Sequence, residues 1–185
     1  MEVAAIEPAR DGCRITTVVT VDPGMTGAVA VAFIEIGQAH ARLIDFLDVF
    51  DMPLRQDASG DNHVDFRGLC SRISRHGPEF GLIELQHAMR KQSATASWKQ
   101  CEAYRDAFNA LQVACPSVSG AHGRVWKPAL GLTSDKQVSL DLARHLFPAH
   151  AGLLRRKKDD GRAEAMLLAE YGCREIYTRE AIEVF

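Results

Sequence analysis

Residues 18–36, VVTVDPGMTGAVAVAFIEI, decide how this chain reads: two apolar runs of strand length are separated by a carboxylate and a glycine-rich reversal. Asp22 closes the first run. An isolated carboxylate in an apolar interior needs a cation or hydrogen-bond donors, so a strand that ends on one implies a partner elsewhere. Pro23, Gly24 and Gly27 make the reversal tight, and Ala28 opens an antiparallel return strand over residues 28–36. A plainer reading, Asp22 as a turn former before Pro-Gly, stands beside this one.

Working outward, residues 15–21 form the first strand and residues 43–50 a third strand of the same meander, with a turn at Gly37 and Gln38. Residues 52–62 read as a loop. Phe66, Leu69, Cys70 and Ile73 then follow the spacing of an amphipathic helix, stopped by Gly77 and Pro78. FGLIEL (residues 80–85) is a second strand that carries a carboxylate near its end, Glu84. A polar loop, QHAMRKQSATAS, leads into a helix whose buried side is expected at Cys101, Tyr104, Phe108 and Leu111, ending before Pro116. Residues 117–121 suit a last strand, and HGRVWKPALGL (residues 122–132) reads as a loop. Ser134 and Gln137 have capping-box spacing ahead of a helix with Val138, Leu142 and Leu146 on its apolar face. KKDDGRAEAMLLAEYG (residues 157–172) gives a final helix buried through Ala163, Met166 and Leu167. The order implies an α/β fold, a mixed five-stranded sheet flanked by helices.

At 185 residues with 46% hydrophobic content, the chain suits one full-cored domain, taken here as residues 14–185 after a loose tail of residues 1–13. Five scattered cysteines, never in C-x-x-C spacing, argue against a disulfide framework or zinc ribbon. The absence of a signal-like or membrane-length apolar segment points to a soluble cytoplasmic protein with no membrane partner. The net charge of −2 does not advertise nucleic acid, but basic residues cluster locally: Arg90, Lys91 and Lys99 after the Glu84 strand, Arg124 and Lys127 on a later loop, and the run 155–158. That last run reads as solvated surface.

Asp22 and Glu84 each end an apolar strand, while Asp160 and Glu164 lie one helical turn apart on one face. Taken singly, Glu84 suits an exposed edge-strand end and the helical pair suits a solvated face. Brought together, four carboxylates would repel unless a cation neutralised them. Hard oxygen ligands suit Mg2+ or Mn2+, and two ions about 4 Å apart would serve hydrolysis of a phosphodiester.

VDPGMTGAVAV, LIELQHAM, VWKPALGL followed by SDKQ, and KKDDGRAEAMLLAEYG together resemble the RuvC-type Holliday junction resolvases, especially the compact phage and prophage versions, over most of residues 16–172. The resemblance implies the RNase H-like fold, a homodimer, and Mg2+- or Mn2+-dependent paired nicking of four-way DNA junctions. Carried over by position, Asp22 matches the first-strand aspartate, Glu84 the glutamate of the fourth strand, and Asp160 with Glu164 the acidic pair opening the last helix, with Asp159 an alternative to Asp160. Two ions would bind there. Lys127 matches a basic position near the scissile phosphate and otherwise reads as a surface lysine. The stretch CEAYRDAF within the 98–111 helix departs from the Gly-containing pattern of phage relatives, which bears on junction preference and dimer packing.

For DNA, the expected contacts are Arg90, Lys91, Ser93, Lys99, Arg124 and Lys127, with Thr95 and Ser97 as further phosphate donors. Trp98, at helical spacing from Cys101, reads as core or dimer interface, the interface being favoured, with stacking on an unpaired base or wedging the junction centre as the other role. His87, just past Glu84, could help activate a water, but that role is not the favoured reading, and none of the seven histidines has a metal-binding spacing such as H-x-x-x-H. The competing classes are a less selective flap or branched-DNA endonuclease and a catalytically silent DNA-binding assembly protein of the same fold. An actin-like or sugar-kinase-like ATPase shares the D-P-G-x-T turn but needs a second domain, for which the chain is too short.

Overall fold

The computed structural model describes residues 12–87 and 93–177. Three antiparallel strands open it: β1 (Arg14–Asp22), β2 (Ala28–Ile36) and β3 (Ala41–Asp51). A two-stranded hairpin follows, β4 (Leu54–Gln56) and β5 (Asn62–Val64), then α1 (Phe66–Ser74), β6 (Phe80–Leu85), α2 (Ala94–Ala114) and β7 (Ser117–His122). The chain continues through α3 (Gly123–Ala129), α4 (Lys136–Leu146), two short 3-10 turns and α5 (Asp160–Gly172), which ends in a π-helical turn over Cys173–Tyr177. The main sheet has the order β3-β2-β1-β6-β7, with β6 and β7 parallel to β1. This is the mixed five-stranded sheet that the pattern implied.

β1 is central and buried along most of its length, so alternate side chains feed two cores. One face carries Val18, Ala30, Ala32 and Ile34 and packs under α4 and α5; the other carries Val19, Val21, Val29 and Val31 and packs against α1 and α2. The alanines of β2 face Ala163, Ala165 and Ala169 of α5 in the first core. Small residues on both sides bring that helix close to the sheet. Thr20, fully buried on β1, donates its hydroxyl to the Ala165 carbonyl at 2.6 Å and fixes the position of the helix along the strand.

Four expectations need correction. The segment 52–62 contains most of the β4–β5 hairpin, which reaches α2 through His63, held between Asp57 at 3.0 Å and Glu102 at 3.3 Å. The buried row of α2 is Ala103, Ala107, Ala110 and Leu111, because small residues let the helix lie close to the sheet; Tyr104 and Phe108 flank it and Cys101 is exposed. Residues 123–129 form α3 although Pro128 lies inside it, because the fully buried Trp126 anchors this helical segment in the core. Finally, α4 is capped by Asp135, which accepts from the Gln137 amide at 2.9 Å, while Ser134 lies outside the helix.

Asp48 of β3 joins the sheet to α1. It accepts two bonds from Arg72, both at 2.9 Å, and one from Arg75 at 2.8 Å. Burial works to raise this carboxyl, but Arg72 and then Arg75 outweigh it and hold it below the usual aspartate value. A depressed carboxyl stabilises the fold above its ordinary pKa, and the contribution is lost as pH falls through the folded value. Asp48→Asn is therefore expected to cost about 2 kcal/mol near neutrality. In urea unfolding, the difference from the parent should shrink below about pH 4. A constant difference across that range would show that packing, not charge, holds Asp48.

Among the described residues no helix is long and apolar enough to cross a membrane.

Candidate active site

Parallel pairing sets the site. Val21 is level with Ile83, so the next residue on each strand, Asp22 and Glu84, lie side by side at the carboxyl ends of β1 and β6. Clefts form at such strand ends, where the following segments diverge. Glu84 is level with Ala121 of β7, and the chain turns directly from β7 into α3. That turn places Trp126 and Lys127 over Glu84. From the other side α5 seats its first turn on the β1–β2 reversal: a Cβ on Gly161 would lie 2.8 Å from the Thr26 carbonyl oxygen. Only glycine permits this approach, and it carries Glu164 to Asp22.

Asp22, Glu84 and Glu164 each offer a carboxylate oxygen, and the three oxygens lie within 4.8 Å of one another. Lys127 Nζ donates to Glu164 Oε2 at 2.9 Å and lies 3.4 Å from Glu84 Oε2. One ammonium faces three acids. Burial, followed by the charges of Glu164 and Glu84, raises the Asp22 carboxyl well above its usual value, and burial likewise raises Glu84 despite Lys127. Burial opposes the charge on Lys127, but Glu164, Glu84 and Asp22 outweigh it and raise its pKa. A cluster this crowded and this short of positive charge suits a hard divalent cation, and its donors are all carboxylate oxygens.

The fully buried Trp126 donates its indole N–H to Glu84 Oε2 at 3.2 Å and fixes the carboxylate's orientation. Asp160 stands outside the trio and is ion-paired with Lys136 at the start of α4. Asp159 faces elsewhere. It is buried, accepts from the Arg156 backbone at 2.7 Å and from its guanidinium at 2.6 and 2.9 Å, and is held below the usual aspartate value: burial opposes this shift, and Arg156 outweighs it. Of the two adjacent aspartates, Asp160 is the one turned toward the cleft charges.

A cleft of about 630 Å3 opens beside the trio, lined by Glu84, Glu164, Arg124, Lys127, Lys136 and His87 among others. Arg124 is exposed on its wall. Ser93 caps α2, its hydroxyl accepting from the Ala96 amide at 3.2 Å. Lys99 is engaged by Asp61 at 2.8 Å, on the loop between β4 and β5. Arg90 and Lys91 lie outside the described residues. Trp98 is 69% exposed, which removes the core reading and leaves a surface role.

Sequence reasoning missed Trp126 and Lys136. Lys136 carried a signal: a lysine in the first turn of a helix opposes the helix dipole, so it needs a nearby acid.

No protein-family model matches the chain. The solved structure of Thermus thermophilus RuvC superposes with a TM-score of 0.50 at 19% identity, over 84% of this chain and 94% of that one. The chain has the RuvC fold. A second structure of T. thermophilus RuvC, in complex with a Holliday junction substrate, gives 0.49 at 18% identity over 84% and 93% of the two chains. The yeast mitochondrial Holliday junction resolvase Ydc2 gives 0.48 at 12% identity over 91% and 80%. In sequence, 50 residues are 50% identical to the chloroplastic Holliday junction resolvase MOC1 of Chlamydomonas reinhardtii. That match spans 26% of this chain and 6% of that much longer protein. Within the RuvC fold, the acidic trio lies at the carboxyl ends of β1 and β6, closed over by α3 and α5.

Proposed function

We propose that this chain is a metal-dependent endonuclease that resolves four-way DNA junctions, with Asp22, Glu84, Glu164 and Asp160 as the acidic site. The observation that carries the proposal is the convergence of three carboxylates within 4.8 Å around Lys127, in a cleft walled by further cations. The RuvC fold and the local identity to a Holliday junction resolvase support a branched-DNA substrate.

Asp22, Glu84 and Glu164 would hold Mg2+ or Mn2+, with Asp160 completing a two-ion site. When bound, the ions would lower the pKa of the attacking water and stabilise charge on the leaving oxygen. Lys127 and Arg124 would hold the scissile phosphate against the trio, and Trp126 would keep Glu84 aimed. Water attacks phosphorus, the bond to the 3′ oxygen breaks, and that oxygen takes up a proton. The products carry 5′-phosphate and 3′-hydroxyl ends. Each acidic trio would make one nick, and with one such trio among the described residues paired nicks call for a homodimer. Cleft and rim cations make binding salt-sensitive.

The test is cleavage of a synthetic four-way junction in Mg2+ and in EDTA, beside flap, splayed-arm and linear duplex controls. Symmetric, metal-dependent nicks confined to the four-way junction are expected. Equal cutting of flaps would make the protein a general branch nuclease, and tight binding without cutting would make it an assembly protein. Trp126→Phe keeps most of the packing and removes only the N–H donor to Glu84. It should lower kcat about tenfold, equivalent to ~1.4 kcal/mol, with folding retained. An unchanged kcat would show that Glu84 needs no such hold.

A further inference from the structure

We infer that Cys13, Glu35 and His40 form a Zn2+ site at the end of the sheet opposite the acidic trio. Cys13 immediately precedes β1, Glu35 is the penultimate residue of β2, and His40 closes the turn into β3. Their Sγ, carboxylate oxygen and ring nitrogen lie within 4.8 Å of one another. β1 separates this cluster from Asp22 by about 25 Å, at roughly 3.3 Å per residue. The two sites are therefore independent.

Glu35 supplies the second, independent observation. Its residue is 2% exposed, and its Oε1 is buried with no hydrogen-bond partner. His40 and Arg42 pair with the carboxylate only at long range and leave Oε1 without a hydrogen bond: His40 Nε2 lies 3.8 Å from Oε1 and the Arg42 guanidinium 3.5 Å from Oε2. A buried carboxylate oxygen with no hydrogen bond is costly, and a directly bound metal ion would satisfy it. Gly37 makes room for the other two ligands. A Cβ there would lie 2.9 Å from His40 Nδ1 and 3.0 Å from Cys13 Sγ, so the side chains converge over a surface that only glycine leaves bare.

The donor set selects the metal. Thiolate, imidazole and carboxylate together suit Zn2+, with ligands about 2.0–2.3 Å from the ion. Mg2+ and Mn2+ prefer all-oxygen sites such as the acidic trio. The donors already lie within 4.8 Å of one another, with His40 Nε2 3.8 Å from Glu35 Oε1, and the exposed His40 has room to close on an ion. With three protein ligands, the fourth position faces solvent through His40. The ion would cross-link the start of β1 to the β2–β3 turn.

Co2+ titration of the full chain tests the site without reference to cleavage. The expected result is a thiolate-to-Co2+ charge-transfer band saturating at one ion per chain, displaced by Zn2+ and retained in excess Mg2+. Cys13→Ser should abolish the band, and Cys101→Ser, which removes an exposed thiol elsewhere, should leave it intact. His40→Gln, on an exposed turn where folding is not at risk, should weaken Zn2+ binding by at least about tenfold. Junction cleavage in Mg2+ should be unchanged in Cys13→Ser and His40→Gln. Absence of the band in the parent, its survival in Cys13→Ser, or unaltered Zn2+ affinity in His40→Gln would each overturn the inference.

Discussion

Asp22→Asn is expected to lower cleavage of a four-way junction by at least about 10³-fold, more than ~4 kcal/mol of transition-state stabilisation. Junction affinity in EDTA should stay within about twofold of the parent if, as proposed, phosphate contacts rather than the trio carry binding. The protein should also become no less stable. Asp22 sits among Glu164, Glu84 and Asp160, and burial and those charges raise its carboxyl pKa, so ionised Asp22 strains the metal-free fold. A neutral amide of the same size relieves that repulsion. Thermal unfolding without divalent metal should therefore give an equal or higher Tm while activity is lost. Cleavage retained at a tenth of the parent rate or more would remove Asp22 from the site. A lower Tm would show that its charge is compensated within the fold.

Gly27→Ala should have the largest effect on stability. A Cβ at Gly27 would lie 2.0 Å from the Asp22 carbonyl oxygen and 3.0 Å from its carbonyl carbon. Both are backbone atoms and have no rotamer by which to withdraw. The β1–β2 reversal must open, and it is held on three sides: Gly27 donates to the Gly24 carbonyl at 3.1 Å, accepts from the Met52 amide at 2.9 Å, and packs beneath Gly161 of α5. The expected loss is about 3 kcal/mol or more in urea unfolding, with divalent-metal affinity falling in parallel. Gly152→Ala is the control, since its Cβ would meet nothing closer than the Arg155 guanidinium at 3.8 Å. A loss at Gly27 below about 1 kcal/mol would mean that the turn relaxes without disturbing Asp22.

The sheet was legible because its strands are bounded by punctuation. β2 and β6 fall where the apolar runs between glycines and polar turns put them, and the carboxylates ending β1 and near the end of β6 pointed to a shared site. Helix faces were less legible. In α2 the alanines face the core and the aromatics flank it, a pattern set by how closely the sheet approaches rather than by side-chain size. The short α3 was hidden by Pro128 and Gly131, which signal a loop when their place at a helix end is unknown. Contacts formed only by folding left no local trace: Trp126 on Glu84, Arg156 turning Asp159 away, and Lys99 engaged by Asp61. Cys13, Glu35 and His40 lack metal-binding spacing because antiparallel pairing, not a helical repeat, brings them together.

The acidic pocket draws its members from the first strand and from the last long helix, joined by the hydroxyl of Thr20 and the carbonyl of Ala165. While the ribosome is still extending the chain, Asp22 and Glu84 can already be paired on neighbouring strands, yet the pocket lacks its third wall. Synthesis thus completes the pocket only once α5 has emerged. A stalled product stopping before α5 would carry Asp22 and Glu84 without Glu164 and so could not form the trio.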